Sequence, residues 1–304
     1  MLTEVHVPED VPAAVSLIAA GATIIGGGTL VMPALNNHGS PPTELVSLRR
    51  TGLAGITVTG STVTIGATTT LAQIEHDPRL AILHPVVRSI ASVPVRTLAT
   101  VGGNLFARQP YGDLAVALVA LNAKAVLASQ EAPVELPLGE HDPATAGLGK
   151  RAVTRAGLEE RDTARAGLGE RDTATAGLEE RAPVTAAEER ALVTAVTFEL
   201  TAPGAFRYLK AARRRYNSAS LVTVAATITE AGGVRVALGG VSDHVVRAVR
   251  VEQALAGRPL TEETVAAAAQ AGLTELSPAD DAYASAWYRR RVFPVHLRRA
   301  LLGL

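Results

Sequence analysis

Between Val11 and Leu35 the chain carries no charged side chain, and three consecutive glycines, Gly26-Gly27-Gly28, interrupt that run. The run is long enough to cross a bilayer. Pro12, Gly21, the glycine triplet and Pro33 break it, Glu9 and Asp10 precede it, and the first basic residue anywhere is Arg49. A secretory leader needs a basic start, and a spanning helix rarely holds three consecutive glycines. The expectation is therefore a cytoplasmic chain without a membrane span. The same stretch divides into an apolar helix over 12–20, a short strand over 23–25, a glycine turn, and a second helix from about 29 to 35.

Farther along, alternation predicts strands at 45–48, 55–59 and 62–66, the last two joined as a hairpin by Gly60-Ser61. Helical spacing follows at 71–76, 78–93 and 113–122, then a strand at 123–128. Thr100-Val101-Gly102-Gly103-Asn104 reads as a second glycine turn. Residues 145–181 hold an internal repeat: Gly147, Gly157, Gly167 and Gly177 recur every ten residues, each followed by Leu and, three residues later, by Arg. Ten residues is too short for a stacking solenoid, and one Leu per copy cannot bury a shared face. The segment reads as a surface insertion made by duplication, with a partner-docking arm as the alternative. Beyond it come a strand at 191–200, a boundary at Pro203-Gly204, strands at 220–229 and 234–238, and helices at 245–256, 262–271 and 280–302. The Arg-rich last helix is expected to solvate its arginines and to bury Trp287, Val292, Val295 and Leu301.

With 304 residues, of which 47% are hydrophobic, the chain can bury one large domain or two ordinary ones. It contains no cysteine, which excludes disulfides, a thiol nucleophile, iron–sulfur clusters and cysteine-ligated zinc on this chain. Any redox chemistry must use a bound organic cofactor. A formal charge of zero and an aromatic content of 3% give no footprint for nucleic acid. The seven histidines are dispersed without an i, i+4 pair, so no metal site is expected. No G-x-S-x-G elbow presents a nucleophile, and no catalytic side chain is assigned.

A glycine turn that opens a helix leaves backbone N–H groups free and lets phosphate approach without meeting a Cβ. Gly26-Gly27-Gly28-Thr29 suits that role and serves equally as a structural turn. It is not a dinucleotide fingerprint, because Val31 stands where the third glycine belongs, and no Gly-Lys-Ser/Thr makes a P-loop. A second glycine turn followed by Asp113, which could also be a plain N-cap, suits a long ligand with a pyrophosphate in its middle.

These residues together resemble the FAD-binding subunit or domain of the molybdenum hydroxylases, the medium-subunit family of xanthine dehydrogenase and carbon monoxide dehydrogenase. The resemblance is carried by Ile24, Ile25, Gly26, Gly27, Gly28, Thr29 and Leu30 in the first loop, and by Thr100, Val101, Gly102, Gly103, Asn104, Leu105 and Asp113 in the second. Leu45-Val46-Ser47-Leu48, Ile65-Gly66-Ala67-Thr68-Thr69-Thr70, Pro94-Val95-Arg96, Leu238-Gly239-Gly240-Val241 and Tyr288-Arg289-Arg290 support it.

The resemblance implies an α+β chain. Residues 1–200 would form a two-subdomain FAD-binding fold of the PCMH or vanillyl-alcohol-oxidase-like type, split near 55 and carrying the insertion at about 144–185. A smaller α/β C-terminal domain would follow over 203–304. It further implies that the two loops hold FAD, with Asp113 on the cofactor side and an aromatic, Phe206 or Tyr208, near the flavin ring unless those two pack the core. The implied partners are a [2Fe-2S] small subunit and a molybdopterin-binding large subunit, with NAD or another acceptor taking the electrons. Gly26, Thr97 and Ser218 depart from the residues usual there, namely Ala, Asn and Asp, and Arg250 stands where some members have Lys. A stand-alone flavin oxidoreductase and a scaffold that has lost FAD are the competing readings.

Overall fold

The computed structural model describes residues 2–36, 42–128, 134–139, 192–214, 218–229 and 231–304. The decapeptide repeat lies outside them, as do Arg215, Tyr216 and Asn217.

The chain opens with strand β1 (Glu4–His6), helix α1 (Val11–Ala19), strand β2 (Thr23–Ile25), helix α2 (Val31–Asn36) and strand β3 (Glu44–Ser47). Asp10 caps α1 by accepting from the Ala13 N–H at 2.8 Å, with Pro12 in its first turn. β3 lies between β1 and β2, parallel to both. α2 starts two residues later than the apolar pattern predicts, because Gly28, at φ +74°, and Thr29 and Leu30 complete the turn after β2.

A second sheet begins with the hairpin β4 (Ile56–Thr59) and β5 (Thr62–Gly66). The expected helix at 78–93 is broken: after α3 (Leu71–His76) come a 3-10 segment at Pro78–Leu83, α4 (His84–Ser89) and α5 (Val93–Arg96). The breaks lie at Leu80, which leaves helical geometry, and at Ala91, a non-glycine residue at φ +46°. The expected second glycine turn is instead a short helix, α6 (Val101–Leu105), capped by the Thr100 hydroxyl, which accepts from the Gly103 N–H at 3.2 Å. Then follow α7 (Asp113–Ala120), β6 (Lys124–Ala128), β7 (Val134–Pro137) and β8 (Leu192–Glu199). β8 inserts between β5 and β6, giving the antiparallel order β4-β5-β8-β6-β7.

The last unit is an antiparallel sheet, ordered β12-β11-β10-β9, of β9 (Phe206–Ala212), β10 (Ser220–Ile228), β11 (Val234–Gly239) and β12 (Val246–Arg247). Helices α8 (Val249–Leu255), α9 (Glu262–Gly272) and α10 (Ala286–Leu302) complete it. Val222, Val224, Ala226, Val236 and Leu238 face these helices, whereas Ala225 and Ala237 join the N-terminal core with Phe206 and Tyr208 beside them. Both faces of β10 are thus buried, and α7 packs on β10 and β11.

α10 buries only part of the face expected: Leu301 is inside and Val292 packs on the core, joined by Phe293, Leu297 and Ala300, while Trp287 is 69% and Val295 46% exposed. Arg289 holds the first inward position at 1% exposure. Its guanidinium donates to the carbonyls of Ser220, Leu221 and Gly240 and to Asp281 Oδ2, which satisfies a charge that an apolar-face pattern would put in water.

Candidate FAD site

The two glycine loops meet. Loop one leaves the edge of the parallel sheet after Ile25, whose partner is Ser47. Loop two is pinned to the end of β5 by Leu71 N–H to Ala99 O and Val101 N–H to Thr69 O, both at 2.9 Å, and by Gly102 N–H to Ala67 O at 2.8 Å. Gly27 lies so close to this segment that a Cβ there would overlap the Leu98 carbonyl, and a Cβ on Gly26 would stand 2.8 Å from Thr100 Oγ1. Small residues in loop one are what let the two segments touch.

Between the loops lies a cavity of about 480 Å³. Ile24, Gly26, Gly27, Gly28, Thr29, Leu30, Thr100, Gly102, Gly103 and Asn104 line it. Ile25 and Asp113 do not. Ile25 still supports loop one, its side chain lying under Gly28. Asp113 turns toward the C-terminal sheet: Oδ1 accepts from Ser220 Oγ and Thr223 Oγ1, each at 2.6 Å, and Oδ2 from Lys210 Nζ at 2.8 Å. The N-cap of α7 is Gly112, in left-handed geometry, and Asp113 is the first helical residue. Neither Phe206 nor Tyr208 is among the lining residues. The Tyr208 hydroxyl sits 2.8 Å from Ser89 Oγ, and burial, with the Asp113 charge behind it, pushes that phenol well above its ordinary range.

Other lining residues come from segments that sequence reasoning did not assign to the site, among them Ile90, Ala91, Phe106, Tyr111, Leu192 and Val193. Ala91 is held in its left-handed conformation by buried Arg96, whose Nη1 donates to the Ile90 and Ala91 carbonyls at 3.0 and 3.1 Å. Glu75 fixes that guanidinium through Nε at 2.9 Å. Burial raises the Glu75 pKa, but hydrogen bonds and charge from Arg96 and Arg88 outweigh it, leaving the carboxyl below its ordinary value. The motif around Arg96 was the available signal for this wall. For Tyr111 the only signal was its place beside Gly112 and Asp113. Thr97, one of the departures, closes locally on the Pro94 carbonyl at 2.8 Å, and Ser218 donates to the Ala219 carbonyl at 3.3 Å.

Among the described residues no Asp, Glu, Lys, Arg or His lines the cavity. A diphosphate held there would have to rely on backbone N–H and threonine hydroxyl donors. Loop one supplies them: no hydrogen bond within the described chain uses the N–H groups of Gly27, Gly28, Thr29 or Leu30. Apolar walls for a ring system and unused amide donors at a glycine loop suit FAD.

Two family models match the chain: the FAD binding domain in molybdopterin dehydrogenase over residues 2–146, and the CO dehydrogenase flavoprotein C-terminal domain over residues 207–304. The chain belongs to the FAD-binding medium subunits of the molybdenum hydroxylases. Its cofactor is FAD and its class is oxidoreductase. Among relatives of this family, the carbon monoxide dehydrogenase medium chain of Hydrogenophaga pseudoflava is 25% identical over 98% of this chain and 95% of its own. The glyceraldehyde dehydrogenase medium chain of Sulfolobus acidocaldarius is also 25% identical, over 91% and 88%. The solved carbon monoxide dehydrogenase of Hydrogenophaga pseudoflava that lacks the Mo-pyranopterin moiety superimposes with a TM-score of 0.78, covering 99% of this chain and 96% of that one at 25% identity. As in the carbon monoxide dehydrogenase structure it matches, the fold is α+β, an FAD-binding domain followed by a C-terminal flavoprotein domain. Among the described residues no helix is long and apolar enough to cross a membrane.

Proposed function

We propose that this subunit relays electrons from a partner's [2Fe-2S] cluster to an external acceptor such as NAD, in a cytoplasmic complex whose molybdopterin-binding large subunit oxidises the substrate. The observation that carries the reading is a cavity built from two glycine loops and lined, among the described residues, by no charged side chain. FAD, when bound, supplies one- and two-electron chemistry that the protein need only position and tune. On this reading Gly26 to Leu30 hold the cofactor from one side and Thr100, Gly102, Gly103 and Asn104 from the other. Ile25 acts by supporting loop one. Asp113 serves by tying α7 to the C-terminal sheet behind the site. The working units would be residues 1–200, divided near 55, and 203–304. The first sheet draws on residues up to Ser47 and the second starts at Ile56, which supports that division.

The absence of cysteine leaves this sequence without thiolate ligands for a [2Fe-2S] cluster, which supports placing that cluster on a partner. A stand-alone oxidoreductase would need a base beside its substrate, and the one titratable side chain lining the cavity among the described residues is Tyr111.

Two experiments test the proposal. Full-length protein reconstituted with FAD is expected to hold one flavin per chain, and Gly27→Asp with Gly103→Asp to abolish uptake; a double variant that keeps FAD refutes the loop assignment. Affinity purification from the native host is expected to bring down chains with [2Fe-2S] and molybdopterin spectra. A chain that purifies alone and turns over substrate unaided refutes the relay.

A further inference from the structure

Tyr111 is the lining residue whose tip is held from the C-terminal domain. Its hydroxyl lies 2.6 Å from that of Tyr283, and the two rings meet edge to face with centroids 6.3 Å apart and planes at 88°. Tyr283 is itself fixed. Asp281 Oδ1 accepts from the backbone N–H groups of Tyr283 and Ala284 at 2.8 and 2.9 Å, and Oδ2 accepts from Arg289 at 2.6 Å. Arg289 in turn grips the β10 carbonyls of Ser220 and Leu221 and the turn carbonyl of Gly240. A continuous set of hydrogen bonds therefore runs from the buried C-terminal sheet to one aromatic ring at the cavity. Tyr111 is 49% exposed, although its hydroxyl is already partnered.

A half-exposed aromatic of fixed orientation beside an apolar cavity has surface left to bury against a ring-shaped ligand. We propose that Tyr111 is a cofactor-contacting wall of the FAD site and that Tyr283 is its positioning residue, so that the C-terminal domain sets how firmly flavin is held. The inference rests on the FAD reading above. The pair keeps its bond over the ordinary pH range, because burial and then the Tyr283 hydrogen bond push the Tyr111 phenol up to about 12.

The test is FAD binding and release by the full-length chain, followed through flavin fluorescence, for Tyr111→Phe, Tyr283→Phe, the double variant and Tyr111→Ala. Each Phe substitution removes one hydroxyl of the same bond, so each is expected to speed FAD release about threefold to tenfold, and the double variant no more than either alone. Tyr111→Ala is expected to speed release by more than about tenfold and to raise bound-flavin fluorescence, since the ring that touches the cofactor is gone. The apo forms of the Phe variants should melt with the wild type, which separates a role toward flavin from a role in folding. Wild-type FAD release in Tyr283→Phe, or additive effects in the double variant, overturns this inference alone. A wild-type chain that takes up no FAD overturns the FAD reading and this inference together.

Discussion

Gly27 and Gly103 both lie in the two glycine segments of the cavity, but they are glycine for different reasons, and that difference predicts different mutants. A Cβ at Gly27 runs into the Leu98 carbonyl, which is backbone and cannot swing away, whereas a Cβ at Gly103 meets only Thr100 Oγ1, at 3.1 Å. Gly27→Ala must therefore push loop one off loop two. It is expected to cost about 1–3 kcal/mol in overpacking, read by urea denaturation, and to lose FAD uptake even at excess cofactor. Gly103→Ala is expected to keep its FAD within about tenfold of wild-type affinity, by fluorescence titration, since one side chain has only to give by a few tenths of an ångström. Wild-type affinity in Gly27→Ala would refute the close approach of the two loops. The Glu75–Arg96 pair behind Ala91 adds a pH dependence. Burial raises the Glu75 pKa but the two arginines lower it by more, so the folded value lies below the ordinary carboxylate value. A depressed carboxyl stabilises the fold above its unfolded pKa, and that stabilisation disappears as pH falls through the folded value. Between about pH 6 and about pH 3 the wild type should lose more stability than Glu75→Gln in parallel urea melts; equal losses would show that the pair contributes nothing.

Helix α7 is an element through which the two domains meet. Its first residue, Asp113, places a carboxylate among Lys210, Ser220 and Thr223, with side-chain exposures of 5% for Asp113 and 9% for Lys210. Removing one member of such a pair strands a buried charge. Asp113→Ala is expected to destabilise the protein by about 3–5 kcal/mol, while Asp113→Leu with Lys210→Met recovers much of that loss. If the single variant melts within about 1 kcal/mol of wild type, the seam does not hold the domains. Asp113 was legible as a candidate from its position at the head of an apolar run, but its partners stand 97 to 110 residues away, so the direction of its carboxylate was not. Elements decided by neighbours in sequence were read well, among them the β4–β5 hairpin around Gly60 and α3, with its Thr70–Gln73 capping box. Elements decided by distant packing were not. All seven residues of β9 are half-buried, which erases the alternation that marks a strand. α10 hides Arg289 because three carbonyls and Asp281 await it. The two glycine loops were visible as runs of glycine, but the reason for most of them was not: only Gly28 has a left-handed backbone, whereas Gly27 must be small because the Leu98 carbonyl approaches it from far along the chain. Tyr111 was invisible because its partner lies 172 residues downstream.

At the scale of the whole molecule, a chain of 304 residues with no cysteine and FAD as its cofactor has a bounded redox capacity. FAD takes up two electrons, and an iron–sulfur cluster on this polypeptide would require thiolates it does not possess. Anaerobic titration of the purified holo-subunit with dithionite is therefore expected to reach its endpoint at about two electrons per chain, with bleaching of the flavin bands and no residual cluster absorbance. The same titration on the complex from the native host should consume more, by the capacity of the partner centres. The comparison separates the two roles that this fold could serve. A relay gains capacity only by association, whereas a self-sufficient oxidoreductase would show the same endpoint alone and in the cell extract's largest assembly. An isolated subunit that takes up more than two electrons would mean a second redox group bound without cysteine, and would remove the support for placing the iron–sulfur cluster on a partner.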